Sequence, residues 1–324
     1  MSVRLLSVPI VLALCVAAAP VSAAGLRDRL YDPGDGVLVV AHRACHRAAP
    51  SRGFERAVPE NSLAALERCV ALGVDLVEID VRRTSDGQLI IMHDAKVDRT
   101  TDGKGRVADQ TLAQIQALRL KDGEDEAPPT LEAFLAAARG RILVNIDLKG
   151  PYAAEAAAIA RRVGATEWVL FKAKARFGAP PLADQALYRD LAFMPMVEAK
   201  AARTPGDLAD IAQRQASGAR QIPAIETVAL RGPGFAAVRD AARAARIRVW
   251  TNTLAAKGWR GVLDQSGDRQ ALRDPDRAWG RLIAQGASIV QTDHPAALLD
   301  YLERRGLRGH APSAIATAGL PPSS

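Results

Sequence analysis

The stretch Leu76-Val77-Glu78-Ile79-Asp80-Val81 places two carboxylates in an otherwise apolar, β-branched run. Its length and its Val and Ile residues predict a buried strand. Glu78 and Asp80 are two residues apart, and side chains with this spacing on a strand point to the same face. Burying two carboxylates side by side costs free energy unless cations or hydrogen bonds compensate them. The run therefore predicts a functional site as well as a strand.

Similar runs recur along the chain and alternate with Ala-rich amphipathic stretches, a pattern typical of strand-helix units around a parallel sheet. The eight predicted strands are residues 37–41, 76–81, 142–148, 168–172, 193–197, 224–227, 248–252 and 288–292. The predicted helices are residues 62–72, 131–139, 153–163, 205–215, 234–245, 274–285 and 296–304, with a poorly defined one within 183–189. Eight such units in 324 residues predict an α/β fold, a (β/α)₈ TIM barrel.

The barrel domain is predicted to span residues 25–305. Residues 82–129 exceed an ordinary connection, so we expect a small insertion after the second strand, with a hairpin turn at Ser85-Asp86-Gly87 and a short helix from Thr111. Residues 306–324 are rich in Gly, Pro, Ser and Ala, which predicts a flexible tail.

Residues 1–24 have the pattern of an export signal. Arg4 supplies a cation, residues 5–20 are apolar, and Val21-Ser22-Ala23-Ala24 has the small residues that a signal peptidase accepts. The alternative is an N-terminal membrane anchor, but the apolar run is shorter than a bilayer span. We expect a periplasmic or secreted mature chain with no stable membrane span after cleavage of the signal.

Cleavage would leave two cysteines, Cys45 and Cys69, in a compartment where disulfides form. Cys45 follows the end of the first predicted strand, whereas Cys69 lies well along the next predicted helix. The helical rise per residue would place the two residues too far apart, so we expect no disulfide between them.

The formal net charge of +7 raises the question of a nucleic-acid partner. The Arg and Lys residues are scattered among acids, and aromatic residues make up only 4% of the chain, so we expect no nucleic acid. An anionic small molecule or a membrane surface explains the charge equally well, and a solvated surface explains most of it. The sequence does not indicate an oligomeric state.

Polar residues collect at the C-terminal ends of the predicted strands, where TIM-barrel enzymes carry their chemistry. Glu78, Asp80 and Asp147 form a cluster of oxygen ligands, which suits one divalent cation, Mg²⁺ or Ca²⁺, better than Zn²⁺. Beside them, Arg43 and Lys149 would hold a phosphate. The alternative is a buried ion-pair network of the same carboxylates with these two cations.

His42 and His93 are the candidate proton carriers among five histidines in the chain. A lone histidine is more often structural than catalytic. Both of these histidines follow apolar strands and have charged neighbours, Arg43 and Asp94, which favours a role as acid and base.

These residues lie in ordered motifs that resemble the glycerophosphodiester phosphodiesterase family. The motifs are His42-Arg43-Ala44, Pro59-Glu60-Asn61-Ser62, Glu78-Ile79-Asp80-Val81, Thr84-Ser85-Asp86-Gly87, His93-Asp94, Arg99-Thr100-Thr101, Asn145-Ile146-Asp147-Leu148-Lys149, Val249-Trp250-Thr251-Asn252 and Thr292-Asp293-His294-Pro295. Each motif alone is a weak indication, but their joint order and spacing over most of the mature chain is specific.

The resemblance implies metal-dependent hydrolysis of glycerophosphodiesters to an alcohol and glycerol 3-phosphate. The implied residues are the catalytic pair His42 and His93, the metal ligands Glu78, Asp80 and Asp147, the phosphate-binding Arg43 and Lys149, and Trp250 lining the substrate pocket. Glu60 and Asn61 would support the site, or Asn61 would cap the following helix. Two residues depart from the family pattern: Ala44 stands in place of a usual Gly, and Asp147 in place of a usual Glu.

Two other functions fit parts of this pattern. A phospholipase D-like enzyme would use a similar histidine pair on lysolipids, sphingolipids or sugar phosphodiesters, although Pro59-Glu60-Asn61 and the Asp147-x-Lys149 spacing disfavour it. A non-catalytic binder of a phosphorylated solute is disfavoured because both histidines and all three carboxylates are present. The attacking group would be water or the substrate's own glycerol hydroxyl, and the second route gives a cyclic phosphate.

Overall fold

Nine strands form a single sheet in the computed structural model, which describes residues 23–254 and 267–309. The strands are β1 (Leu38–Ala41), β2 (Leu76–Arg83), β3 (Leu89–Ile91), β4 (Leu143–Leu148), β5 (Val169–Lys174), β6 (Ala192–Glu198), β7 (Ala224–Val228), β8 (Arg248–Asn252) and β9 (Ile289–Thr292). Eight strands pair in parallel, and β9 pairs with β1, which also pairs with β2, so the sheet closes. The ninth, β3, is antiparallel to β2. The predicted (β/α)₈ barrel is confirmed.

Helices surround this barrel within the described residues. They are α1 (Ala23–Tyr31), α2 (Leu63–Leu72), α3 (Leu112–Gln116), α4 (Leu131–Ala138), α5 (Ala153–Arg162), α6 (Pro205–Ala216), α7 (Gly232–Ala244), α8 (Asp268–Ala271), α9 (Arg281–Ala284) and α10 (Pro295–Arg304). The poorly defined helix is two 3₁₀ turns, Leu182–Asp184 and Ala186–Tyr188. The predicted helix 274–285 is a π-helical turn, Asp276–Gly280, followed by α9. None of the described helices is long and apolar enough to cross a membrane.

Side-chain caps explain where several helices begin. Ser62 accepts a hydrogen bond from the backbone N of Ala65 and is the N-cap of α2, so a capping role for Asn61 is wrong by one residue. Thr130 caps α4 in the same way, accepting from the backbone N of Ala133. Gly73 ends α2 with φ of 70°, a left-handed conformation that favours glycine.

The interior of the barrel is filled by alternate residues of the strands. These are Leu38, Val40, Leu76, Leu143, Leu170, Met194, Ala224, Trp250 and Ile289, and they pack against Leu26 and Leu30 of α1. Most of them lie near the starts of their strands, so α1 covers the N-terminal end of the barrel and leaves the C-terminal end for the site. Burying two leucines there stabilises the fold by about 2 kcal/mol each.

Buried ion pairs and hydrogen bonds hold α1 at this end of the barrel. Arg29 of α1 and Arg308 both pair with the buried carboxylate of Asp75. Arg248 donates to the carbonyl oxygens of Arg29 and Gly36, at 2.8 Å in each case. Residues 306–309 thus pack against the barrel, while the rest of the predicted tail, 310–324, and residues 1–22 of the predicted signal lie outside the described residues.

Cys45 and Cys69 form a disulfide, with their Cα atoms 5.2 Å apart, so the expectation of two separate thiols was wrong. The loop after β1 does not lead straight to the start of α2 but runs back along that helix. Arg68 of α2 donates to the carbonyl oxygen of Arg47 at 3.0 Å and lies over the ring of Phe54. The loop therefore brings Cys45 beside Cys69, although Cys69 lies well along α2. The prediction considered only the helical rise and not the return path of the loop.

Candidate active site

Three carboxylates meet at the C-terminal end of the barrel. Glu78 and Asp80 share one face of β2, and Asp147 of β4 is the register partner of Asp80. One carboxylate oxygen from each of the three lies within 4.8 Å of the others. Glu78 and Asp80 are each only 1% exposed. The structure therefore brings the predicted metal ligands together, in a group that can hold a metal ion.

The charge of Glu78 is compensated only in part, because the charges of Lys172 and His42 lower its pKa less than burial and Asp80 raise it. Its carboxylate accepts a hydrogen bond from the backbone N of Arg43 at 3.1 Å, and among the described residues it forms no ion pair. Burial, and then the charge of Asp80, raise the pKa of Glu78 to about 7. Oxygen donors with excess negative charge fit a hard divalent cation.

Asp80 and Asp147, by contrast, are paired with cations. The Lys149 Nζ atom is 2.6 Å from Asp80 Oδ1 and 2.8 Å from Asp147 Oδ2, and Arg43 Nε is 3.5 Å from Asp80 Oδ2. Burial would raise the pKa of each acid, but the charge of Lys149 contributes to keeping both lowered. The alternative ion-pair network thus exists for two of the carboxylates and leaves out Glu78.

The loop between β1 and α2 supports Asp80 from the other side. Asn61 donates from Nδ2 to Asp80 Oδ2 at 2.9 Å and accepts from the backbone N of Asp80 at 3.2 Å. Asn61, Arg43 and Ala44 all have φ near 60°, the left-handed region. Asn tolerates this region, whereas Arg and Ala adopt it at a cost of about 1 kcal/mol or more each. The structure thus places Asn61 against Asp80, and its predicted role in supporting the site stays a prediction.

His42 follows β1 and forms a hydrogen bond with Asp293, with 2.7 Å between Nδ1 and Oδ1. Both side chains are largely buried. Because a carboxylate only accepts, Nδ1 carries the proton and Nε2 is the ring nitrogen that can accept one. Burial lowers the pKa of His42, but the hydrogen bond to Asp293 and the charge of Glu78 outweigh it, so the pKa is raised.

His93 has the same arrangement on a more exposed part of the rim. Its Nδ1 lies 2.7 Å from Asp94 Oδ1, and Arg99 Nε donates to Asp94 Oδ2, also at 2.7 Å. The hydrogen bond from Arg99 holds the pKa of Asp94 well below its usual range. Arg82 donates from Nε to the backbone O of His93 at 2.9 Å, which fixes the backbone of this residue.

Glu60 connects the two halves of the site. Its Oε1 atom accepts from Arg99 Nη2 at 2.7 Å and from Arg43 Nη1 at 3.1 Å. Arg43 in turn lies beside Asp80. The sequence indicated Glu60 as a supporting residue, but it gave Arg99 no role beyond its place in a motif.

Lys172 and Trp250 lie beneath the carboxylates, inside the barrel. The buried Lys172 Nζ is 3.7 Å from Glu226 Oε2 and 5.8 Å from the centre of the Trp250 ring. Trp250 is 0% exposed, and its Nε1 donates to Asn252 Oδ1 at 2.9 Å. Its predicted role in lining the substrate pocket stays a prediction. The sequence analysis gave Lys172 no role, although its positive charge lowers the pKa of Asp147.

Comparison with known protein families agrees with this geometry. Residues 52–176 match the model of the glycerophosphoryl diester phosphodiesterase family, and residues 193–302 match a model described only as a domain of unknown function. A glycerophosphodiester phosphodiesterase of Caldanaerobacter subterraneus subsp. tengcongensis is 44% identical over 35% of this chain and 45% of its own length. Glycerophosphodiester phosphodiesterase 1 of Homo sapiens is 40% identical over 38% of this chain and 37% of its own. The matches thus span less than half the length of these relatives.

Solved structures share the fold over more of the chain. A glycerophosphodiester phosphodiesterase from Agrobacterium tumefaciens has a TM-score of 0.54 and 24% identity over 81% of this chain and 98% of its own. A glycerophosphoryl diester phosphodiesterase from Parabacteroides distasonis has a TM-score of 0.61 and 20% identity, over 91% and 94%. At these identities the structures establish the barrel, and the sequence matches show similarity over residues 52–176. Residues 52–176 therefore resemble the glycerophosphoryl diester phosphodiesterase family, and the barrel around them is the fold of the solved structures.

Proposed function

We propose that this chain is a metal-dependent glycerophosphodiester phosphodiesterase, which hydrolyses a glycerophosphodiester to an alcohol and glycerol 3-phosphate. The observation that carries the proposal is the pair of histidine-carboxylate hydrogen bonds, His42 with Asp293 and His93 with Asp94, at the same end of the barrel as the three-carboxylate group. The curated relatives with this activity in their names support it. So does the structure of an Oleispira antarctica phosphodiesterase in complex with the product sn-glycerol-3-phosphate.

Glu78, Asp80 and Asp147 would hold one divalent cation, Ca²⁺ or Mg²⁺. The fit rests on their oxygen donors and on the charge of Glu78, which its neighbours compensate only in part. Such a cation supplies positive charge that stabilises the charge developing on the phosphoryl oxygens in the transition state.

Arg43 and Lys149 would bind the phosphate group of the substrate. Both side chains are partly exposed at the rim, at 18% and 20%, while their charged ends lie against the carboxylates. The planar guanidinium of Arg43 can hold two phosphate oxygens, and Lys149 acts as a point charge. Glu60 and Asp80 orient Arg43 for this role.

His42 and His93 would carry the protons. One takes the proton of the attacking hydroxyl through Nε2 while a new P–O bond forms, and the other donates a proton to the alcohol oxygen as its P–O bond breaks. Asp293 and Asp94 fix the two rings and stabilise the imidazolium that forms in each cycle.

A substrate panel tests the proposal. We expect the chain, with Mg²⁺ or Ca²⁺, to release glycerol 3-phosphate from at least one of glycerophosphocholine, glycerophosphoethanolamine and glycerophosphoinositol. Release of choline from lysophosphatidylcholine or sphingomyelin, with no turnover of the panel, would instead support the phospholipase D-like alternative.

Phosphorus NMR of the same reaction distinguishes the two attacking groups. A cyclic phosphate that appears before the linear product would show attack by the substrate's own hydroxyl. Linear product that carries label from ¹⁸O-water, without a cyclic precursor, would show direct attack by water.

We further propose that the mature chain is periplasmic or secreted. The N-terminal pattern supports export, and the Cys45–Cys69 disulfide fits an oxidising compartment. Cell fractionation with N-terminal sequencing tests this: we expect a mature N-terminus near Ala24 outside the cytoplasm. A cytoplasmic chain that retains its first residues would contradict export.

A further inference from the structure

Asp268 is a buried carboxylate that the proposed chemistry leaves unused. It is the first residue of α8 and is 0% exposed. Its Oδ1 atom accepts from the hydroxyls of Thr253 and Thr292, both at 2.7 Å, and its Oδ2 atom accepts from the backbone N of Asp293, also at 2.7 Å. Burial raises the pKa of Asp268 to about 6, so the carboxylate is ionised and accepts all three hydrogen bonds at neutral pH.

These three hydrogen bonds join the ends of two neighbouring strands. Thr253 follows β8 and donates from its backbone N to the carbonyl oxygen of Gln291 at 2.8 Å. Thr292 is the last residue of β9, and Asp293 follows it. Asp268 therefore fixes the backbone where the chain leaves β9.

The side chain of Asp293 starts from that fixed backbone and accepts the Nδ1 proton of His42. Only two rotatable side-chain bonds separate the Asp293 Cα atom from this contact. We propose that Asp268 is a positioning residue, which acts through Asp293 to hold the imidazole of His42 in its working orientation. This inference rests on the proposed function only for the catalytic role of His42.

Asp268→Asn is the variant that separates positioning from simple stability. Asn has nearly the same volume, and its oxygen can still accept from Thr253 and Thr292. Its amide group would face the backbone N–H of Asp293, so that two donors oppose each other and that hydrogen bond is lost. Asp276→Asn is a matched control. Asp276 accepts a hydrogen bond of 2.8 Å from the Tyr301 hydroxyl, and this contact is remote from the site.

Kinetics of single and double variants give the first readout, with glycerophosphocholine and Mg²⁺ as the probe. We expect Asp268→Asn to lower kcat about tenfold with little change in KM, and Asp276→Asn to change neither. Adding Asp268→Asn to Asp293→Asn should lower kcat no further, because Asp268 acts through Asp293. Losses that multiply in the double variant, or an unchanged kcat in Asp268→Asn, would overturn the proposal.

Proton NMR gives a second readout that needs no turnover. The low-field resonance of the Nδ1 proton shared by His42 and Asp293, assigned by its loss in His42→Ala, should shift or exchange faster in Asp268→Asn but not in Asp276→Asn. An unchanged resonance overturns the positioning role. Absence of turnover by the wild-type chain with every substrate of the panel would instead contradict the proposed function alone.

Thr292→Val provides the test if Asp268→Asn does not fold. It removes one of the two hydroxyls that hold Asp268 Oδ1 and keeps the shape of the side chain. The same resonance should then change in the same direction by a smaller amount. No change in this variant would count against the proposal equally.

Discussion

Glu78 and Asp80 share one face of β2, but their carboxylates have different surroundings. Lys149 and Arg43 lie against Asp80, whereas Glu78 is fully buried and receives only a backbone hydrogen bond. The pKa of Glu78, raised to about 7, reflects the free-energy cost of ionising this buried carboxylate without a metal ion. A bound cation would remove most of that cost.

The raised pKa of Glu78 predicts a pH-dependent stability in the metal-free protein. A raised acid pKa means that the folded chain binds the proton more tightly than the unfolded chain, so stability falls as pH rises from about 4.5 to about 7. Glu78→Gln cannot ionise. Between pH 4.5 and pH 7.5, we expect the free energy of unfolding of the wild type to fall by about 3 kcal/mol relative to this variant.

Urea unfolding in EDTA over this pH range measures the difference, because titrating groups that do not interact with Glu78 cancel between the two proteins. Saturating Mg²⁺ or Ca²⁺ should remove the loss in the wild type. A difference between the proteins that does not change with pH would contradict a raised pKa for Glu78.

The sequence predicted the residues whose roles follow from their type and spacing. It did not predict those whose role depends on a hydrogen bond to the backbone. Glu78 and Asp80 are two apart on a strand, so their shared face follows from the pleat. Asp268 lies in a polar stretch without a strand or motif, and its partners include a backbone N–H that any residue offers. No pattern of residue types indicates such a contact.

At the scale of elements, the β1–α2 loop supplies many of the site residues. Two contacts restrain its conformation. Arg43, Glu60 and Asn61 all contact other site residues from this loop. The Cys45–Cys69 disulfide ties the loop to α2, and Asn61 ties it to β2. The sequence did not reveal the disulfide, because the path of a loop depends on tertiary packing such as that of Arg68 on Phe54.

Removing this disulfide should destabilise the fold. With its cysteines separated by 24 positions in the sequence, the bond restricts the unfolded chain enough to contribute about 3 kcal/mol. We expect Cys45→Ala with Cys69→Ala to lower the free energy of unfolding by about this amount in urea. Urea unfolding of the wild type under reducing conditions is the control. Its free energy of unfolding should resemble that of the double variant. An equal midpoint for the variant and the oxidised wild type would contradict this role.

The strands were predicted well because β-branched runs between Ala-rich helices are distinct in this chain. The two 3₁₀ turns near residues 182–188 were not, since such short turns have no periodicity of their own. α1 was missed because its first residues coincide with the predicted signal cleavage site, while its later part is short.

The packing of α1 against the barrel predicts an effect on stability that is independent of the proposed catalysis. Leu30 is 2% exposed inside the barrel end, so Leu30→Ala should lower the free energy of unfolding by about 3 kcal/mol. Leu272→Ala is the matched control, because Leu272 is 51% exposed, and we expect it to cost less than about 0.5 kcal/mol. Urea unfolding of both variants measures this. Equal costs for the two would show that α1 does not cover the barrel.

At the scale of the whole molecule, the two ends of the barrel have separate tasks. The N-terminal end is closed by α1 and by the ion pairs of Asp75. The C-terminal end carries the carboxylates, the cations and both histidines. Substitutions at the first end should therefore change stability and leave kcat of the folded protein nearly unchanged, whereas those at the second end should lower kcat.

The most direct test of the central claim is the rate at which glycerol 3-phosphate is released from the best substrate of the panel. We predict that EDTA abolishes the activity and that Mg²⁺ or Ca²⁺ restores it. His42→Ala and His93→Ala should each lower kcat by about 100- to 10,000-fold with the fold intact by circular dichroism, while His294→Ala, the matched control, stays near wild type. Full activity in EDTA, or near-normal turnover by either catalytic-pair variant, would contradict a metal-dependent phosphodiesterase that uses two histidines.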